Sequence, residues 1–315
     1  MTDSELFTLS LPSLIKEIGR GAKGARDLSL SDAEALFRAM LNGEVADLEL
    51  GAILLSLRIK GESDEELLGF CKAMQDTTRC IDHPSHSQPV VILPTYNGTR
   101  RQPNLLPLLT FMLRDAGLPV LIHGRHDFAN RENPFPLFHA CGIDSAQTLE
   151  AVNQQLSDQG IALTGIDVLN PELDRLLALR TRLGLRNPAH TLCKLLDPCP
   201  GHSIRVVNVT HPEYLIRMAS LLKAQRTTAL LMRGTEGEPF ANPKRRPELS
   251  GFHGSETVPL YSAEDGGSPP IPGWPESNEL EENVALIRAL REAPKQIPQP
   301  LVDQVDALKR LAALI

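Results

Sequence analysis

The feature that most constrains this chain is a change of hydrophobic period near residue 80. Before it, apolar residues recur at helical spacing between recognisable caps. In "SDAEALFRAMLNG" Ser31 stands as N-cap with Glu34 three residues on. Ala35, Leu36, Ala39 and Met40 form the apolar stripe, and Gly43 follows as the stop. "DLELGAILLSLRIKG" repeats the arrangement with Asp47 and Gly61, and "SDEELLGFCKAMQDTT" with Ser63 and Glu66. Three short helices with tight connections predict a small N-terminal helical bundle domain over residues 1–80.

Residues 81–89, "IDHPSHSQP", read as a polar linker. After it, short β-branched runs alternate with helical ones. "VVIL" is a buried strand, Leu105 to Ala116 a helix, and "LPVLIHG" a strand. "SIRVVNVT", "HPEYLIRMASLLKAQ" and "TTALLMRG" give strand, helix and strand again. That order predicts a larger α/β domain over residues 88–315 with a mostly parallel central sheet. The stretch from Asn170 to Leu196 reads as helical and basic, residues 261–278 as a proline- and glycine-rich loop, and Gln296 to Ile315 as a terminal helix.

No apolar run approaches the roughly 20 residues that span a bilayer, so no membrane partner is expected. The first residues, "MTDSELFTLSLPSL", lack the basic start and apolar core of a secretory signal. Five cysteines, with no CxxC pair, fit reduced thiols in a cytoplasmic protein. The formal net charge of −7 hides an uneven distribution. Residues 1–93 carry 9 basic and 15 acidic side chains, whereas residues 175–233 carry ten basic and two acidic. Such asymmetry can place a basic face on an acidic protein.

Few motifs point to metal or nucleophilic chemistry. His83 and His86 sit in the linker, and His123 and His126 at a strand end. Neither pair has the spacing or the companions of a zinc site, so no metal is expected. Glu236 and Glu238 in "GTEGEPFANP" have the chemistry for Mg²⁺ or acid–base work, but two glutamates in such a loop are more often solvated. Arg175, Arg182 and Arg186 share one face if their segment is a single helix, with Arg180 about half a turn away. Lys194 and Arg205 follow. Arginine suits phosphate because its planar guanidinium donates two parallel bonds. Aromatics are only 4% of the chain, which favours contacts to a charged backbone over base stacking.

"VILPTYNGTRRQPNLLPLL", Val91 to Leu109, poses the central question. Strand, turn and helix in this order often grip phosphate through backbone N–H groups. Yet the turn holds one glycine, Gly98, beside two arginines, Arg100 and Arg101, and Pro94 and Pro103 lack N–H donors.

The run from "LSLSDAEALFRAMLNG" to "GFCKAM" resembles the helical domain of the anthranilate phosphoribosyltransferase (TrpD) family, and the resemblance continues to about residue 250. It implies a nucleoside phosphorylase/phosphoribosyltransferase-like, glycosyltransferase family 3 fold. The helical domain, joined by a segment near 171–196, would serve dimerisation. Phosphoribosyl pyrophosphate and magnesium would bind in active members. Those members carry a GTGGDG-like loop, then NIST, then KHGN. Here Thr95, Asn104 and His123-Gly124 match, and Asn97 and Gly98 complete the remnant of a phosphate cleft. The glycines become Pro94, Tyr96 and Asn97, the hydroxyls Leu106 and Pro107, and the lysine Ile122. The magnesium pair falls on Pro239 and Phe240, the substrate-side histidine on Asn170, and the arginine is kept as Arg180.

"IKEIGRGAKGARDLS", "RLGLRNPAHTLCKL" and "HPEYLIRMA" are similar to a second branch, the YbiB-type proteins. That similarity implies a homodimer that binds DNA or RNA with little sequence preference, has no cofactor, and lacks transferase activity. The expected phosphate contacts are Arg100, Arg101, Arg180, Arg182, Arg186, Lys194 and Arg205, with Lys23 and Arg26 beside them. The alternative is a phosphoribosyltransferase with an altered substrate, using Mg²⁺ and phosphoribosyl pyrophosphate. A third reading is a structural partner for an acidic protein surface.

Overall fold

A computed structural model describes residues 10–21, 23–82, 88–126, 131–275 and 278–315. His83 and His86 lie outside the described residues. The chain divides into two compact units, Met1–Thr78 with Asn170–Leu196, and Arg79–Leu169 with Asp197–Ile315.

The helical unit contains α1 (Leu11–Ile18), α2 (Leu30–Asn42), α3 (Asp47–Lys60) and α4 (Asp64–Thr77). α2 and α4 bury their apolar stripes against each other, and the Phe37 and Phe70 rings meet at 4.9 Å between centroids. Gly43 ends α2 in the left-handed region, at φ 76°. Ser63 and Glu66 close a reciprocal capping box on α4. Two predicted caps are corrected. α2 begins one residue before Ser31, and Ser29 is its N-cap, accepting from Asp32 N at 3.2 Å. Asp47 is the first residue of α3, and the cap position is Ala46. Buried Glu66 does more than cap. It also accepts from Leu28 N at 2.9 Å and pairs with Lys60 Nζ at 2.7 Å.

The 170–196 segment is not one helix. It breaks into Pro171–Ala178, Arg180–Leu183 and Ala189–Leu192, with Gly184 left-handed at φ 69°. Asn170 starts it by accepting from Leu173 N at 2.8 Å. Its amide also donates to Thr77 Oγ1 and Thr78 Oγ1, at 3.0 and 3.1 Å. Asn170 therefore ties this segment to the end of α4.

The second unit is built on an eight-stranded sheet. The strands are β1 (Val90–Thr95), β2 (Val120–Gly124), β3 (Ser145–Ala146), β4 (Ile161–Gly165), β5 (Ser203–Val209), β6 (Ala229–Arg233), β7 (Leu249–His253) and β8 (Glu256–Tyr261). Their order is β3-β4-β2-β1-β5-β6-β7-β8. The first six are parallel, and β7 and β8 add an antiparallel hairpin at one edge. β1 and β5 are buried along their whole length, the condition that a run such as "VVIL" satisfies in a sheet covered on both faces. Helix α5 (Leu106–Asp115) and the C-terminal helices Leu280–Glu292 and Gln299–Ala312 pack Leu109, Ile287 and Leu308 into one core with Val91, Val206 and Leu230. The predicted parallel sheet is present. The hairpin, β4 and the helix Leu280–Glu292 went unpredicted.

Among the described residues, no helix is long and apolar enough to cross a membrane. The five cysteines form no disulfide.

Candidate functional site

β1, β5 and β6 end side by side, and the loops leaving β1 and β6 meet at their carboxyl ends. In open parallel sheets this is where ligands collect. The β1 loop is Thr95 to Arg101, and the β6 loop is Gly234 to Ala241.

The contact between the two loops answers the question raised by "TYNGTRR". Its backbone donors point at anions, and the anions are the chain's own glutamates. Glu238, fully buried, accepts from Asn97 N at 3.0 Å and Gly98 N at 2.9 Å through Oε1. Its Oε2 accepts from the Thr95 hydroxyl. Glu236, half-buried, accepts from Arg100 N at 3.0 Å through Oε2 and from Arg101 N at 2.9 Å through Oε1. Four backbone N–H groups and one hydroxyl thus serve two internal carboxylates. Charge-assisted bonds of this kind are about twice as strong as neutral ones.

Local geometry makes the approach possible. Gly237 takes φ 92°, and a side chain there would collide with the Asn97 amide. Its carbonyl accepts from Asn97 Nδ2 at 2.8 Å and from Asn208 Nδ2. Gly98 takes φ 66°, and a Cβ would strike Glu132 O. Arg131 Nη1 donates to Gly98 O at 3.0 Å and to Glu236 O at 3.3 Å, pinning both loops. Gln304 holds the far end, accepting from Ala241 N at 2.7 Å and donating to Pro239 O at 2.9 Å.

Beside the loop, buried Tyr96 turns its hydroxyl to His123 Nδ1 at 2.8 Å. Burial lowers the His123 pKa to about 3, so the ring is neutral near pH 7. Thr99 Oγ1, Asn104 Nδ2, His123 Nε2 and Asn208 Oδ1 are buried without a hydrogen-bond partner among the described residues. Asn104 Oδ1 still accepts from Leu106 N at 3.0 Å at the start of α5. Of the remnant set, Thr95, Asn97, Gly98, His123 and Gly124 lie at the ends of β1 and β2, where Thr95 and Gly124 are register partners, while Asn104 sits at the start of α5.

These residues do not fit a magnesium ion. Pro239 and Phe240 are buried and offer no carboxylate, and both oxygens of Glu236 and of Glu238 already accept hydrogen bonds. No group of three or more potential metal ligands occurs among the described residues.

The expected phosphate contacts separate into three kinds. Arg100 and Arg101 are exposed on the β1 loop. In the helical unit, Lys23, Arg26, Arg182 and Arg186 are exposed, and Arg180 and Lys194 half-buried. Arg182 lies 3.3 Å from Asp47 Oδ2, and Arg26 3.8 Å from Glu17 Oε2. The break at Gly184 overturns the single helical face drawn through Arg175, Arg182 and Arg186. Arg175 instead donates to Leu41 O at 2.6 Å, satisfying the end of α2. Arg205 is a correction of another kind. It is 5% exposed within β5, donates to Gln225 Oε1 at 2.8 Å and lies 3.9 Å from Asp197 Oδ2, so it is a core residue and no phosphate contact. Sequence reasoning missed the anion role of Glu236 and Glu238; their only local signal was Gly237 between them.

Comparison with known proteins agrees with this architecture. Residues 12–78 match the glycosyl transferase family, helical bundle domain. The crystal structure of anthranilate phosphoribosyltransferase (TrpD) from Thermus thermophilus superposes with TM-score 0.70 at 23% identity, over 94% of this chain and 85% of that one. The Saccharomyces cerevisiae enzyme in complex with PRPP and Mg gives 0.69 at 16%, over 97% and 89%. Anthranilate phosphoribosyltransferase 2 of Ralstonia nicotianae is 29% identical over 222 residues, 70% of this chain and 63% of that protein. Fold and sequence define a protein of the glycosyltransferase family 3 class, with the TrpD architecture. YbiB of Escherichia coli (strain K12) is 38% identical over 293 residues, 93% of this chain and 91% of its own. The chain belongs to the TrpD family, in the branch that includes YbiB.

Proposed function

We propose that this protein binds the phosphate backbone of nucleic acid with little sequence preference and does not transfer phosphoribosyl groups. The observation that carries the reading is the pairing of Glu236 and Glu238 with the β1 loop. Two backbone donors that would otherwise face a substrate pyrophosphate, Asn97 N and Gly98 N, are held by buried Glu238, while the Arg100 and Arg101 side chains stay exposed. Arg182, Arg186, Lys23 and Arg26, with Arg180 and Lys194, supply the cations of the helical unit. Side-chain cations contact phosphates without reading bases, so the expected selectivity is low.

The same reading takes the protein as a cytoplasmic homodimer paired through the helical unit. Supporting it, α3 exposes Leu48, Leu55 and Ile59 at 82, 46 and 62%, spaced by seven and four residues on one face.

The test is binding of single- and double-stranded DNA and RNA of several sequences across a salt series. Backbone recognition requires similar affinities for all sequences and log K falling linearly with log salt. Absence of binding at low salt would refute it. The fold favours a second reading, a phosphoribosyltransferase with an altered substrate. Magnesium-dependent thermal protection by phosphoribosyl pyrophosphate would support that one.

A further inference from the structure

We propose that Glu236 is a built-in competitor for the anion that the Arg100–Arg101 turn binds, so that a phosphate group reaches this turn by displacing the Glu236 carboxylate. The proposal deepens the reading of Arg100 and Arg101 as phosphate contacts, on which it rests.

The two carboxylates are held differently. Glu238 is fully buried and shared among Asn97 N, Gly98 N and the Thr95 hydroxyl, so it belongs to the interior. Glu236 is only half-buried, and its two partners, Arg100 N and Arg101 N, belong to exposed residues. Its backbone sits at φ 52°, a left-handed conformation that non-glycine residues rarely adopt. The inner anion is therefore fixed and the outer one exchangeable.

A phosphate offers what the carboxylate offers. Two of its non-bridging oxygens can accept from the two backbone N–H groups that now serve Glu236, and the same turn carries two arginines, whose guanidinium groups suit phosphate geometry. Glu236 holds the place because it is tethered. A tethered group competes at a high effective concentration, which weakens binding of the free anion without abolishing it. The ligand class is a phosphate monoester, a phosphodiester or pyrophosphate, bound without a divalent metal.

The experiment titrates inorganic pyrophosphate, without magnesium, into ¹⁵N-labelled full-length wild type, E236A and E132Q. The reporters are the amides of Arg100 and Arg101. Glu132 pairs with Thr99 only through its backbone, at 2.7 Å, so E132Q removes a nearby charge without vacating the turn. The expected result is saturable shifts at both amides in E236A, with Kd at least about tenfold below that of wild type and E132Q. Equal affinity in folded E236A, or equal tightening in E132Q, overturns the proposal. If E236A does not fold, E236Q keeps the side-chain volume, loses the charge, and is judged by the same criterion. Because the assay contains no nucleic acid, its outcome is separate from the function proposed above. Tightening in E236A alongside a wild type that binds no nucleic acid would remove only that function.

Discussion

Tyr96 and His123 meet at the ends of two neighbouring parallel strands, with the phenol oxygen 2.8 Å from Nδ1 and the rings edge to face at 5.6 Å. The pair fills buried space next to the β1 loop, and burial keeps the imidazole neutral. A phenol ring therefore packs beside the turn, where a glycine would leave bare backbone.

The His123 pKa, lowered to about 3 by burial, makes stability depend on pH. Between that value and the ordinary histidine range near 6.5, the unfolded chain binds a proton that the folded chain refuses. This contribution is complete above about pH 6.5 and is lost as pH falls through the window, with a slope of up to about 1.4 kcal/mol per pH unit. Urea unfolding of wild type and H123Q at pH 5 and pH 7 checks it. The wild type should lose more stability on acidification than the variant, and equal losses would contradict the burial argument.

Lys60 and Glu66 form a buried ion pair, with side chains 7 and 0% exposed. Asp27 and the backbone of Leu28 and Ser63 complete the network. Removing one partner strands the other charge, so K60M should destabilise the helical unit by about 3 kcal/mol. Chemical denaturation followed by far-ultraviolet circular dichroism measures this. A loss under about 1 kcal/mol would mean that Glu66 is adequately solvated by its hydrogen bonds.

The exposed and buried arginines make opposite predictions. R182A/R186A should lower affinity for single-stranded nucleic acid and reduce the log K against log salt slope by about 1.4 if both neutralise phosphates. R205A should leave that slope unchanged and lower the unfolding midpoint, because Asp197 and Gln225 lose a buried partner. A reduced slope in R205A would return Arg205 to the binding surface. The full reversal R182E/R186E/K194E should abolish binding in a folded protein.

The apolar stripe on α3 predicts oligomeric state. L48E/I59K places two charges on the face that carries Leu55, and should convert a dimer to a monomer in size-exclusion chromatography with light scattering. A variant that elutes as wild type does would move the interface elsewhere.

Much of the architecture was legible because its signals are local. Gly43, Gly61 and the Ser63–Glu66 box act within one helical turn. Buried parallel strands announce themselves as unbroken apolar runs such as "VVIL". Where the local signal was ambiguous the reading slipped, as at Ser31, because Ser29 offered an equally good cap two residues earlier. The basic segment misled for a similar reason. Its arginines fall at helical spacing, but the helix Arg180–Leu183 ends at Gly184 before that spacing can place Arg186 on the face of the others.

The sequence by itself determined the helical bundle and the parallel sheet, because each depends on residues three or four apart or on one short run. Only the tertiary structure decided which charges are exposed and which are spent inside the fold. Arg205 was assigned to phosphate by its type and lies in the core by its strand. Glu236 and Glu238 looked like solvated loop residues, yet they accept hydrogen bonds from a turn about 140 residues earlier in the chain. A hydrogen bond across that separation leaves no period and no spacing in the sequence, because its partners are brought together only when β1 and β6 take their places in one sheet.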